Sequence, residues 1–317
     1  MKHKIISILS AFCALGLIFQ AETVFQFTLD GIKLCLWTVI PSLFPLMMIC
    51  SICCQYCVVG KLGIHGKLLG IPAGFESILI PAFLGGYPLG AQAVSRAYGQ
   101  NKITKAQATH LLSFCNNAGP AFIFGIVSRQ FDNSATCWLI WSIQIISSLL
   151  VAIVDPMEQR HCHPDGNRAA SSIPHILRTS VRAMADICGW IIMFSVILGF
   201  LRPGFQLLPQ GLTVAISGLL EMTSGCCQLQ TIENEPLRFV LANVLLSFGG
   251  VCVLMQTASV CDGLPLKAYL KGKCKQTILS TLLSLAVVNP ILLLPETILA
   301  GIMIKRKNSR FFANSCV

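Results

Sequence analysis

The sequence predicts an all-α, polytopic membrane protein built as an inverted-topology repeat, with two re-entrant hairpins and broken transmembrane helices. Three observations predict it. Charged residues make up 11% of the chain against 54% hydrophobic, with a mean hydropathy of +0.72, whereas soluble globular chains average roughly 25% charged. Apolar runs then fill most of the length: Ile5 to Phe19, Ile32 to Cys54, Phe75 to Val94, Leu111 to Val127, Thr136 to Val154, Ile187 to Leu201, Leu212 to Leu229, Phe239 to Ala258 and Ile278 to Ile304. A span takes about 20 apolar residues and lipid tolerates no unpaired backbone, so such runs are helices. Finally, Leu111-Leu112-Ser113-Phe114 returns 134 residues later as Leu245-Leu246-Ser247-Phe248. In both copies the run breaks after the Phe, at Asn116-Asn117-Ala118-Gly119-Pro120 and at Gly249-Gly250. Duplicated halves with a broken helix at the matching place are the signature of a secondary transporter.

The elements follow in order. Residues 1–31 read as a signal-anchor-like N-terminal span, retained rather than cleaved, with Lys2, His3 and Lys4 before its apolar core. Residues 32–154 form the first repeat, 155–182 a cytoplasmic loop, 183–304 the second repeat and 305–317 a basic tail. The net charge of +10 sits in short loops, where Lys and Arg set orientation, so nucleic acid is not the expected partner. Lys61 and Lys67 mark an inside loop, as do Arg96, Lys102 and Lys105. The Phe75 to Val94 segment between them must therefore enter and leave on one face. Its Pro81, Gly85-Gly86-Tyr87-Pro88 and Gly90 suit a re-entrant hairpin.

Arg160, Arg168, Arg178 and Arg182 place the central loop inside. Leu212 to Leu229, with Glu221-Met222-Thr223-Ser224-Gly225 at its centre and Glu233 and Glu235 after it, reads as the second hairpin, entered from the opposite face. Phe239 to Ala258 then returns to an inside loop bearing Lys267, Lys271, Lys273 and Lys275. About seven spans and two hairpins result. The tail, with Lys305, Arg306, Lys307 and Arg310, wants the inside. Either Asn289-Pro290 and Pro295 fold the last segment back, or one hairpin is a full span.

The stretch Gly85 to Ala91, the turn Lys102 to Lys105 and Leu111 to Pro120 resemble the sporulation integral membrane proteins of the YlbJ type. Gly218 to Gly225 and Phe248-Gly249-Gly250 resemble that family's second-half motifs, so the resemblance covers roughly Ile32 to Ser284. It implies a nucleoside-recognition, or gate, domain architecture similar to concentrative nucleoside transporters. It also implies a role in endospore formation, namely moving dipicolinate across the outer forespore membrane. Asn117 departs from the pattern, standing where a small hydroxyl residue is expected. Cys226, Cys227 and Val251-Cys252 replace more polar neighbours.

A dianion at the membrane midplane needs dipoles in place of its water. Helices interrupted at Asn116 to Pro120, at Gly249-Gly250 and inside the hairpins expose N–H groups at half-helix starts. The candidate substrate-binding residues are therefore Gly86, Tyr87 and Pro88 at the first tip, with Ser113, Asn116, Asn117 and Gly119 at the first break. Glu221, Thr223, Ser224 and Gly225 belong to the second hairpin, and Ser247, Gly249, Gly250 and Gln256 to the second broken helix. Glu221, ionisable within an apolar segment, is the candidate for a coupling proton or cation; no other cofactor is expected. Tyr87 is placed to stack on an aromatic ligand. Gln92 is a lesser pathway candidate, and Asp186 reads as interfacial.

Other classes fare worse. Cys50, Cys53, Cys54 and Cys57, with His161-Cys162-His163, spell possible metal spacings. They continue an apolar span, however, where Cys behaves as a small hydrophobe. No Ser-His-Asp arrangement, HExxH, P-loop or GxGxxG is present, so neither an enzyme nor an ATP-driven pump is expected. The remaining alternatives are a nucleoside-type cargo and a non-transporting scaffold or sensor. Expected partners are the solute and the lipid bilayer, with a second copy or sporulation membrane proteins as further possibilities.

Overall fold

The computed structural model describes residues 14–56, 66, 68–72, 74–155, 172–261 and 263–289, with Ser7 besides. Among them all regular structure is helical. The first helix runs as α1 (Ala21–Leu34) and α2 (Ile40–Tyr56), joined without a break by a π turn at Cys35–Val39. That turn lies just before Pro41, which has no N–H to give to the preceding turn. The expected division between residues 31 and 32 therefore falls inside one rod. The charges Asp30 and Lys33 do not stop a helix, and no proline comes before Pro41.

A hairpin follows. Glu76–Ile78 and Pro81–Gly85 lead in, Gly86-Tyr87-Pro88 forms the tip with a cis Tyr87–Pro88 bond, and α3 (Leu89–Gly99) leads out. Then comes the first broken helix: α4 (Lys105–Phe114), the break at residues 115–119, and α5 (Pro120–Gly125), followed by a turn of 3₁₀ helix at Val127–Gln130. Thr104 and Gln107 close a capping box on α4, which satisfies two orphan donors at once. α6 (Ser134–Val154) ends this half.

The same order returns. α7 (Ile173–Phe205) is the long helix. α8 (Gln210–Leu220) and α9 (Met222–Cys227) form the second hairpin, interrupted at Glu221. α10 (Glu235–Phe248) and α11 (Gly250–Val260) form the second broken helix. α12 (Leu266–Val288) closes it. Corresponding long helices pack antiparallel. A side chain on Gly31 would meet Ser195, and one on Gly199 would meet Phe27, so α1 and α7 run in opposite directions. On α6, Gln144 bonds Ser280 of α12, while Asp155, just past the end of α6, pairs with Lys275, earlier on α12.

Polarity is distributed inside out. Trp37, Trp138, Ile278 and Leu282 are exposed, while Asn116, Asn117, Gln144, Ser147, Ser148, Asn243, Gln276, Ser280 and Ser284 are buried. That is how a bundle sits in lipid, where apolar exteriors cost nothing and polar groups glue helices together. Among the described residues, four helices are long and apolar enough to cross a membrane: Ala21–Cys53, Ser134–Val154, Ile173–Phe205 and Glu235–Val260. This is an integral membrane protein.

Two expected loops are helical. α7 begins at Ile173, with Pro174 in its first turn, where a missing N–H costs nothing; Arg178 and Arg182 therefore ride on the helix and not on a loop reaching 182. α12 begins at Leu266, so Lys267, Lys271, Lys273 and Lys275 lie on its first turns and not on a connecting loop. Most of the first apolar run, Arg160, Arg168, His161 to His163, Cys57 and the tail from residue 290 lie outside the described residues.

Candidate functional site

Each hairpin is seated on the break that follows it, glycine against glycine. In the first half, side chains added to Gly86 or Gly119 would strike each other's backbone, and one on Gly90 would land on the Cys115 carbonyl. In the second half, a side chain on Gly250 would strike the Gly218 and Leu219 carbonyls. Gly249 and Gly250 both have φ near +80°, a conformation glycine adopts without strain.

The duplicated Leu-Leu-Ser-Phe does the same work in both copies. Ser113 Oγ donates to the His110 carbonyl at 2.7 Å and Ser247 Oγ to the Val244 carbonyl at 3.0 Å, each three residues back. Carbonyls near the two helix ends are then met by side chains from elsewhere. Phe114 O accepts from Asn117 Nδ2 at 2.7 Å and from Ser148 Oγ at 2.6 Å. Leu246 O accepts from the Tyr87 hydroxyl at 3.1 Å. Asn116 accepts from the Ala91 N–H at 3.3 Å and donates to Thr257 Oγ1 at 3.0 Å. Asn116 thus meets α11 two turns beyond Gly250, and it is Tyr87 that reaches the second break. A side chain on Gly249 would press on the Tyr87 ring at 3.2 Å.

Between these parts lies a crevice. Gly86 and Tyr87, Ala118 and Gly119, Glu221 to Thr223, and Val253 and Gln256 line it, so both tips and both broken helices contribute. Val39, Leu43, Phe122, Ile187 and Ile191 close it with apolar walls. Its volume of about 30 Å³ is room for one or two waters, so it is shut to any larger solute in this conformation. A mostly apolar crevice with a few convergent polar groups is the usual form of a small-molecule site.

Glu221 is the acid in it. It is 1% exposed, and its two carboxylate oxygens accept from the N–H groups of Thr223 at 2.8 Å and Ser224 at 2.6 Å. The carboxylate therefore caps α9 and takes the backbone donors that the sequence reading offered to a substrate anion. Gln256 donates to Cys252 Sγ at 3.4 Å.

Of the predicted site residues, Gly86, Tyr87, Gly119, Glu221, Thr223 and Gln256 line the crevice. Ser113, Asn116, Asn117, Ser247, Gly249 and Gly250 support it from behind through the contacts above. Ser224 and Gly225 hold the hairpin, where a side chain on Gly225 would strike Gly218. Pro88 starts α3. Gln92 and Asp186 lie apart from the crevice, Asp186 being exposed on α7. Cys50 is buried on α2, and among the described residues no three His, Cys, Asp or Glu gather to hold a metal.

A scan against protein-family models finds no match, and no solved structure matches. Among curated proteins the chain is 23% identical over 298 residues to the sporulation integral membrane protein YlbJ of Bacillus subtilis (strain 168). The match covers 78% of this chain and 73% of that protein. The chain is similar to that protein.

One residue beside the crevice was not legible in the sequence. Lys273, expected in a loop, is 1% exposed in the protein interior. Its Nζ donates to the Tyr87 hydroxyl at 2.9 Å, to Asn117 Oδ1 at 3.2 Å and to Gln276 Oε1 at 2.7 Å. It thereby ties α12 to the first hairpin tip and the first break. The signal was available: Tyr269, Lys273, Gln276, Ser280 and Ser284 recur at helical spacing and make one stripe.

Proposed function

We propose that this protein is an alternating-access transporter of a small anionic aromatic solute, with dipicolinate the first candidate, acting during endospore formation. One observation carries the reading: two interrupted hairpins and two broken helices converge on a single crevice between antiparallel halves. Inverted repeats with discontinuous helices at a midplane site are how many secondary transporters are built. Tyr87 and Phe122 offer ring faces to an aromatic solute. The closed crevice corresponds to an occluded state, opened when one half moves against the other.

The cargo and the setting come from likeness. The YlbJ relative is named for sporulation, and the motifs resemble a family implicated in moving dipicolinate across the outer forespore membrane. We read the chain as a carrier rather than an enzyme, because the crevice joins one carboxylate to amide and hydroxyl groups with no His, Cys or Ser among the described residues of its wall. Glu221 remains the candidate for a coupled proton or cation once movement of the hairpin frees it from the α9 cap. A second reading has its own support: a carboxylate and an amide on one crevice wall, Glu221 and Gln256, suit the hydroxyls of an uncharged nucleoside.

Uptake of labelled dipicolinate into proteoliposomes, with uridine and adenosine as competitors, decides between them. The expected result is saturable uptake, blocked by unlabelled dipicolinate and indifferent to nucleosides. Uptake of nucleosides alone would favour the second reading. If the wild-type protein moves neither, transport is lost as an account and a scaffold or sensor role takes its place.

A further inference from the structure

The hydrogen bonds of Lys273 bear on its charge state. Each of its three partners has its own donor committed elsewhere. The Tyr87 hydroxyl gives its proton to Leu246 O, the Asn117 amide gives to Phe114 O, Ala82 O and Ser148 Oγ, and the Gln276 amide gives to Gln144 O. All three oxygens facing Nζ are therefore acceptors. A neutral amine offers two hydrogens and a lone pair, whereas an ammonium offers three hydrogens and no acceptor. The cage fits the ammonium.

The cage lacks an anion. Among the described residues the ion pair found is Lys275 with Asp155 at the surface, and no carboxylate faces Lys273. Neutral dipoles and the ring faces of Tyr87 and Tyr269, with centroids 4.9 and 5.9 Å from Nζ, compensate a buried cation only in part. Tyr87 links this cation to the crevice. Tyr87 is part of the crevice wall, while its hydroxyl holds Nζ. The side chain sits on the bent tip Gly86-Tyr87-Pro88, an element built to move in a carrier.

We propose that Lys273 is the anion-recognition group of the transport site, reached when the Tyr87 side chain swings aside and a substrate carboxylate oxygen replaces its hydroxyl on Nζ. Asn117 and Gln276 keep Nζ aimed at the vacated place. The substrate class that follows is a small carboxylate, because an uncharged solute would leave the ammonium uncompensated. This inference rests on the transport reading and narrows it.

The test uses full-length protein in detergent and in proteoliposomes, with four probes: pyridine-2,6-dicarboxylate, pyridine-2-carboxylate, the neutral pyridine-2,6-dicarboxamide, and uridine. Wild type is expected to melt higher with the carboxylates and unchanged with the diamide. Lys273→Met removes a buried charge but leaves the acceptors on Tyr87, Asn117 and Gln276 without their donor, so without ligand it is expected to melt lower than wild type while still folding. It should bind the dicarboxylate at least about tenfold more weakly. Tyr87→Phe keeps the ring and frees one ammonium donor, so it should bind the dicarboxylate more tightly than wild type. A folded Lys273→Met with wild-type carboxylate affinity overturns the proposal. Should that variant fail to fold, unchanged affinity in Tyr87→Phe overturns it. If wild type carries uridine and binds no carboxylate, transport stands and the role of Lys273 is refuted. If wild type moves no probe at all, the transport reading falls and this inference falls with it.

Discussion

A charged group in the middle of a membrane protein has to be accounted for atom by atom, and Glu221 is accounted for. Both carboxylate oxygens are spent on the first free N–H groups of α9, so the negative charge sits where the helix is most positive. Glu221→Ala would strand two buried donors and should lower stability by about 1–3 kcal/mol. Glu221→Gln keeps one carbonyl acceptor and should lose less. Thermal unfolding in detergent checks this, and an unaltered midpoint for the alanine variant would refute the cap. The site was partly legible at this scale. An acid in an apolar run and a Gly-Tyr-Pro bend singled out Glu221 and Tyr87, and both line the crevice. Asn116, Asn117, Ser113 and Ser247 were legible as belonging to the breaks, but not as their internal supports. A helix that stops leaves carbonyls unmet, and the nearest donors were these side chains.

Elements meet through glycine wherever hairpin and break come together. Gly90 shows the constraint most sharply, since a single methyl would fall on the Cys115 carbonyl, which belongs to backbone and cannot turn away. Gly90→Ala should cost about 1–3 kcal/mol or more by prising the first hairpin off the first break. Gly189, exposed on α7 with open space around it, is the matched control: Gly189→Ala should be neutral or gain up to about 1 kcal/mol from helix propensity. The thermal midpoints and folded yields of the two variants test this contrast, and equal losses would contradict it. Hairpins and breaks were readable because Pro and Gly punctuate them. The starts of α7 and α12 were not, because hydropathy averages every face of a helix while burial concerns only one. Lys267 and Lys271 point outward on α12 and lower its average, yet Lys273 and Gln276 on the next face are core.

At the scale of the whole molecule, the order of elements repeats and corresponding long helices run antiparallel, with the crevice between them closed to about 30 Å³. Each copy of the repeated Leu-Leu-Ser-Phe ends a helix at the same point and back-bonds its serine in the same way. The two breaks come together through Tyr87 rather than by facing each other directly, a detail that depends on three-dimensional packing and has no counterpart in local sequence. Alternating access, as proposed, exposes one site to each side in turn, so bound solute inside must accelerate inward movement of labelled solute outside. The most direct measurement is therefore counterflow. Proteoliposomes loaded with excess unlabelled dipicolinate and placed in a trace of labelled dipicolinate should accumulate label transiently above its equilibrium level. Label that enters only to equilibrium, or not at all, would contradict alternating access at this crevice.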